Sequence, residues 1–164
     1  MVVESQYSSV LTRSNEMYCP SGGCPSSLYH YETIQLNVFT TESYDILCYS
    51  NINIDIKVYN NTFDPNFPYF NLLNANSRFG SNCVIGTRIY LYALTQYILV
   101  VTTRDANVIG PFAITAVGLT SVNFTRMNTS SKTSIQFTVC FKQTKFSTDY
   151  SNNFRKTISA QLLK

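Results

Sequence analysis

The chain has 164 residues, of which 45% are hydrophobic and only 13% charged, with 12 Tyr and 11 Phe but no Trp. This composition favours one β-rich domain and excludes a bilayer-spanning segment, because the longest apolar stretch, residues 97–101, is far too short. For the same reason we expect no membrane insertion. The net charge is +3, and the tail, residues 127–164, has six basic residues against one acid. These basic residues are spaced rather than clustered, so we expect no nucleic-acid partner.

Residues 1–28 form a predicted lead-in to the first strand. Within it, the segment Cys-Pro-Ser-Gly-Gly-Cys has the Pro and Gly residues that close a tight turn, so we predict a Cys19–Cys24 disulfide. The opening residues carry neither a basic flank nor an apolar run of signal-peptide length. If the protein is extracellular, we therefore expect the chain to be an excised domain or an incomplete gene product.

Three segments that follow show the alternation of half-buried strands. Residues 33–38 and 44–49 form the first two. The third, residues 51–59, gives the strongest signal, because its even positions are apolar and are predicted inward. Its odd positions, Lys57 among them, are predicted outward.

Residues 60–86 form the longest predicted loop, since Asp64-Pro65 and Phe67-Pro68 interrupt strand pairing. Beyond it, residues 88–94 alternate, and residues 97–103 are apolar on both faces, as is typical of a central strand covered on both sides. Because only a short turn separates these two strands, we predict that they form a hairpin.

Residues 112–118 and 121–126 are the last predicted strands of the domain, and residues 135–141 alternate separately within the tail. Seven or eight short strands with regular turns predict an all-β fold, an antiparallel two-sheet β-sandwich over residues 29–126. The tail, 127–164, is either an edge strand of this sandwich or the start of a truncated next repeat. The jump in charge favours the second interpretation.

Four blocks, residues 29–38, 51–65, 97–103 and 110–114, carry a resemblance to a known family. Over about residues 3–126 the chain resembles the repeated extracellular β-sandwich modules of bdelloid rotifer proteins, which in turn resemble the bacterial pre-peptidase C-terminal domain. The resemblance implies a jelly-roll-like sandwich without catalytic activity, in a secreted or surface protein and often in tandem. The bacterial family implies roles in secretion, in substrate or matrix binding and, in some members, in calcium binding.

Asp55, Asn60, Asn61 and Asp64 are the candidate calcium ligands, because they supply oxygen atoms from one strand and the loop after it. The alternative makes Asp55 a solvated outward residue and Asp64 the start of an Asx-turn before Pro65. No other cofactor is expected.

The single histidine, His30, lies in a Tyr-rich strand, and no Gly-x-Ser-x-Gly or Cys/His signature accompanies it. We therefore interpret His30 as a structural residue and expect a protein that is not an enzyme.

Three sequons of the form Asn-x-Ser/Thr, at Asn60, Asn123 and Asn128, fall at predicted strand ends or loops and favour a secreted glycoprotein. The remaining cysteines leave alternatives open. Cys48 and Cys83 either pair across the sandwich, with Cys140 left over, or all the cysteines are reduced thiols of an intracellular protein.

Four tyrosines are predicted on outward faces or loops, where aromatic side chains bind sugars or proteins: Tyr59, Tyr69, Tyr90 and Tyr92. The alternative is that they only cover a sheet. We expect an extracellular or cell-surface binding or adhesion module with a protein or glycan ligand. A structural spacer repeat between tandem neighbouring domains is the alternative function, and a carbohydrate-active enzyme or a peptidase accessory domain is a remote one.

Overall fold

The computed structural model describes residues 1–22, 24, 28–75 and 84–127. These residues form ten strands: β1 (Val3–Leu11), β2 (Met17–Tyr18), β3 (Tyr29–Val38), β4 (Glu42–Ser50), β5 (Ile54–Asn60), β6 (Leu72–Ala75), β7 (Val84–Leu91), β8 (Gln96–Thr103), β9 (Gly110–Gly118) and β10 (Val122–Arg126). The predicted strand 135–141, Asn128, Cys83 and Cys140 lie outside the described residues.

The strands form two antiparallel sheets that pack as a sandwich. The four-stranded sheet has the order β1-β9-β4-β7, and the six-stranded sheet has the order β10-β3-β8-β5-β6 with β2 paired to β3. Strand β1 pairs with β9, β3 with β8, β4 with β7 and β5 with β6. Taken in chain order, these four pairs follow one another along a single long hairpin. Successive pairs lie alternately in the four-stranded and the six-stranded sheet, and this arrangement is that of a jelly roll. The predicted all-β two-sheet sandwich is confirmed.

The main core lies between the sheets, where alternate residues of the paired strands turn inward. Ile34 of β3, Ile56 of β5 and Leu99 of β8 meet Phe112 and Ile114 of β9, and all five are fully buried. Side chains of this size each contribute about 1.5–3 kcal/mol when removed from water, so this layer is the main source of stability.

A second apolar cluster covers the outer face of the six-stranded sheet. The rings of Tyr18 and Tyr31 lie 5.1 Å apart, and the ring of Phe63, from the loop after β5, stands 4.9 Å from that of Tyr59. Strand β8 is therefore buried on both faces, as predicted from its sequence.

This cluster corrects the prediction that Lys57 and Tyr59 are exposed. Both side chains turn away from the main core, as expected, but Tyr59 is 0% and Lys57 8% exposed. The reason is that strand β2 and the loop after β5 fold over them. The Lys57 Nζ lies 3.4 Å from the Tyr18 hydroxyl and 5.7 Å from the centre of its ring, and burial lowers the pKa of this lysine.

Two further predictions are wrong. The sandwich does not begin at residue 29, because β1, inside the predicted lead-in, pairs with β9 along its whole length. Residues 88–94 and 97–103 do not form a hairpin, because β7 pairs with β4 whereas β8 pairs with β3 and β5. The short turn between them crosses from one sheet to the other.

The predicted Cys19–Cys24 disulfide is present, with 5.5 Å between the two Cα atoms. Cys48 is a free thiol in the main core, and burial raises its pKa. In the described part of the chain, no helix has the length and apolar character needed to cross a membrane.

Candidate ligand-contact face

The outer face of the four-stranded sheet differs from that of the six-stranded sheet, because the described residues form no apolar cluster over it. Over residues 87–91 of its edge strand β7 the side chains alternate, so that Ile89 and Leu91 enter the core and Tyr90 turns outward. Tyr92 continues this row just after the strand. The two tyrosines are 54% and 60% exposed, and their rings lie 5.4 Å apart in a T-shaped pair.

A charged pair lies next to these rings. In the register of β4 and β7, Ser43 stands opposite Tyr90 and Asp45 stands opposite Arg88. The Arg88 guanidinium donates two hydrogen bonds of 2.6 Å to the two carboxylate oxygens of Asp45, and the side chains are 48% and 33% exposed. These bonds raise the pKa of Arg88 and fix the plane of its guanidinium.

Two residues further along the same strands, Gly86 of β7 and Leu47 of β4 stand opposite each other on the same outer face. A Cβ at position 86 would lie 2.5 Å from the Cδ2 of Leu47. Leu47 therefore lies flat across β7 only because residue 86 is a glycine, and the sheet presents a level surface beside Arg88.

The other two tyrosines of the sequence prediction lie elsewhere. Tyr59 is buried and its hydroxyl donates to the carbonyl oxygen of Pro68 at 2.8 Å. Tyr69 is 64% exposed but belongs to the loop that covers the six-stranded sheet. Among the four tyrosines, the ring contact is the one between Tyr90 and Tyr92.

The four candidate calcium ligands are not assembled. Asp55 and Asn60 stand at opposite ends of β5, about 17 Å apart at the rise of an extended strand. Asp55 pairs with Arg104 at 3.3 Å, and Asp64 accepts a 2.8 Å hydrogen bond from the backbone N–H of Asn66, which is the Asx-turn. The described residues also contain no group of three or more His, Cys, Asp or Glu that could hold a metal ion.

His30 is 5% exposed, and its Nδ1 lies 3.1 Å from the carbonyl oxygen of Asn15. Its own carbonyl accepts a 2.9 Å hydrogen bond from Thr102. These contacts join β3 to the turn before β2 and to β8, which is a structural role.

Two sequon asparagines lie at the surface. Asn60 is exposed at the end of β5, and Asn123 is exposed on β10, the edge strand of the six-stranded sheet. Both positions leave room for a glycan.

The sequence analysis missed a buried polar cluster around Glu32. Its carboxylate is 0% exposed and accepts hydrogen bonds from the Tyr7 hydroxyl at 2.5 Å, the Ser9 hydroxyl at 2.8 Å and the Arg126 guanidinium at 2.5 Å. The cluster joins β1, β3 and β10 and closes one side of the sandwich. The sequence does indicate this cluster in one way. Glu32 lies on the same face of its strand as the apolar Ile34, and an acid on a buried face needs partners.

Comparison with known proteins found no family model and no curated protein that matches the chain.

Proposed function

We propose that the domain is a non-catalytic recognition module of an extracellular or cell-surface protein, and that it binds a glycan on the outer face of the four-stranded sheet. The observation that carries the proposal is the unequal covering of the two sheets. The six-stranded sheet has an aromatic cluster under a loop, whereas the four-stranded sheet leaves Tyr90 and Tyr92 at 54% and 60% exposure.

The chemistry of the face fits a sugar. Tyrosine offers a large rigid ring at little cost in conformational entropy, and the apolar face of a pyranose packs on such rings. The Asp45–Arg88 pair stands one pleat away with fixed donors and acceptors for sugar hydroxyls. Jelly rolls carry lectins among many other functions, so the fold permits this role without requiring it.

Three observations support an extracellular setting. The Cys19–Cys24 disulfide is of a kind that persists in oxidising compartments, and the sequons at Asn60 and Asn123 are exposed. The resemblance to repeated extracellular sandwich modules points the same way.

The test is a glycan microarray probed with the full chain, made through a eukaryotic secretory route. We expect binding to at least one glycan, loss of that signal in the Tyr90→Ala/Tyr92→Ala double variant and retention in Tyr69→Ala, which removes an equally exposed tyrosine from the other side. A wild-type chain that binds no glycan, or a double variant that binds as well as the wild type, contradicts the proposal. If the wild-type chain binds no glycan, a structural spacer repeat between neighbouring domains becomes the better explanation.

A further inference from the structure

Three turns meet at one end of the sandwich, which we call the turn end. They are residues 39–41 between β3 and β4, residues 92–95 between β7 and β8, and residues 119–121 between β9 and β10. The strand register places them together, since Val38 pairs with Val122 and Glu42 pairs with Leu91.

Hydrogen bonds hold the three turns to one another. The backbone N–H of Leu94 donates to the carbonyl of Val38 at 3.3 Å, and that of Ala93 donates to the Thr41 hydroxyl at 2.9 Å. The Glu42 carboxylate accepts from the backbone N–H groups of Leu119 and Thr120, both at 2.9 Å. The turn end is therefore a preorganised surface.

Each turn exposes a large apolar side chain, and the turn 92–95 exposes Tyr92 as well. Phe39 is 63%, Leu94 96% and Leu119 65% exposed. The three turns contain no Asp, Glu, Lys or Arg, and their other exposed positions are mainly Thr and Ser. The result is an uncharged surface in which apolar side chains alternate with hydroxyls.

The backbone at Leu94 gives an independent sign that this surface is used. Leu94 has a φ of 60°, in the left-handed region that a leucine avoids. Asn61, Asn71 and Asn107, the other non-glycine residues with positive φ in the described part of the chain, are asparagines, which tolerate it. A strained leucine that buries almost nothing in the protein suggests that its side chain has a partner outside it.

We propose that the turn end docks on the interface of a lipid bilayer, with Phe39, Leu94 and Leu119 entering the boundary between headgroups and acyl chains. The absence of charge fits a zwitterionic lipid surface, and the Thr and Ser hydroxyls stand at the level where headgroups offer hydrogen bonds. Three side chains expose a few hundred Å² at most, well short of the roughly 800 Å² per partner that a stable protein interface buries. The area therefore favours a membrane over a second copy of the chain.

The sequence predicted no membrane insertion because no single apolar run is long enough. The turn end takes its apolar residues from three separate turns, which such a run does not reveal. Tyr92 belongs both to the turn 92–95 and to the proposed glycan face. The two proposals are nevertheless tested separately, because the variants at Phe39, Leu94 and Leu119 leave Tyr90 and Tyr92 unchanged.

The test is co-sedimentation of the full chain with phosphatidylcholine vesicles. We expect the wild type to sediment with them, and the Phe39→Ser/Leu94→Asn/Leu119→Ser triple variant to lose at least tenfold in partitioning. The single Leu94→Asn variant is the sharper probe. Asparagine accepts the left-handed backbone, so we expect partitioning to fall severalfold while thermal stability is kept or raised.

The control is Ile109→Ser, which removes a 38% exposed apolar side chain from the opposite end and is expected to bind as the wild type does. Failure of the wild type to bind phosphatidylcholine overturns the proposal, as does wild-type partitioning by the triple variant. Binding that requires phosphatidylserine and vanishes in high salt also overturns it, because such binding comes from basic residues. So does concentration-dependent dimerisation that Leu94→Asn abolishes.

Discussion

Gly118 of β9 lies so close to the ring of Tyr44 that a Cβ at position 118 would stand 2.6 Å from two ring carbons. The ring has little freedom to move away. Tyr44 is 0% exposed, and its hydroxyl donates to the carbonyl oxygen of Thr40 and contacts the Thr120 hydroxyl, both at 3.0 Å.

We therefore expect Gly118→Ala to destabilise the domain by about 1–3 kcal/mol through overpacking, measured by urea unfolding. Gly110→Ala is the matched control. The atom nearest to a Cβ there is the Cδ1 of Ile52 at 3.0 Å, a longer distance than the 2.6 Å at Gly118, and Ile52 is only partly buried, so the loss should be clearly smaller. Equal losses in the two variants would contradict this account of Tyr44.

Glu32→Gln tests the buried cluster that joins β1, β3 and β10. The amide cannot accept from Tyr7, Ser9 and Arg126 at once, and it leaves the arginine without its charged partner. We expect a loss of about 3–5 kcal/mol in unfolding free energy.

Asp45→Asn makes the same chemical change in an exposed pair, where side-chain exposures of 48% and 33% allow solvent to screen the charges. The expected loss there is less than about 1 kcal/mol. If denaturant unfolding gave the same loss for both variants, the Glu32 cluster would have no special role.

We expect the folded domain to lose stability at acidic pH because the carboxylate of Glu42 becomes protonated. Burial alone would raise the pKa of its carboxyl, but hydrogen bonds from the Leu119 N–H and from Thr120 outweigh burial and hold the pKa below the ordinary 4.5. Because the pKa of this carboxyl is lower in the folded protein than in the unfolded chain, its ionised form stabilises the fold. This stabilisation is fully present above pH 4.5 and is lost as the pH falls through the pKa of the folded protein. The melting temperature should drop over this window, and Glu42→Gln should flatten the drop. A pH profile that is the same in wild type and variant would count against the mechanism.

The sequence predicted β5 and β8 because their alternation and their apolar run directly reflect burial within the sheet. It missed β1 for a physical reason. Tyr7 and Ser9 face inward to bind Glu32, and Ser5 bonds the backbone N–H of Val122, so polar residues occupy the positions where a strand pattern expects apolar ones.

The burial of Lys57 and Tyr59 could not be predicted from alternation, because their cover comes from distant segments rather than from their own strand. The same limit applies to the candidate site. Alternation placed Tyr90 and Tyr92 outward, but it gave no means of telling that Tyr59 is covered, or that Tyr69 stands on the other side of the sandwich.

Peptide mass spectrometry of the chain made through a eukaryotic secretory route tests the proposed compartment. We expect Cys19 linked to Cys24, Cys48 as a free thiol, and a glycan on Asn60 or Asn123, since both asparagines are exposed. Reduced Cys19 and Cys24 with both sequons empty would remove the support for an extracellular setting.

The most direct test of glycan recognition by the exposed tyrosines is calorimetric titration of the strongest microarray ligand into the wild type, Tyr90→Ala/Tyr92→Ala and Tyr69→Ala. Truncating two aromatic contacts at an interface centre costs about 1 kcal/mol or more each, so the double variant should bind at least tenfold more weakly with an unchanged melting temperature. Tyr69→Ala should bind as the wild type does. Equal affinity in the wild type and the double variant would contradict the claim that this face holds the ligand.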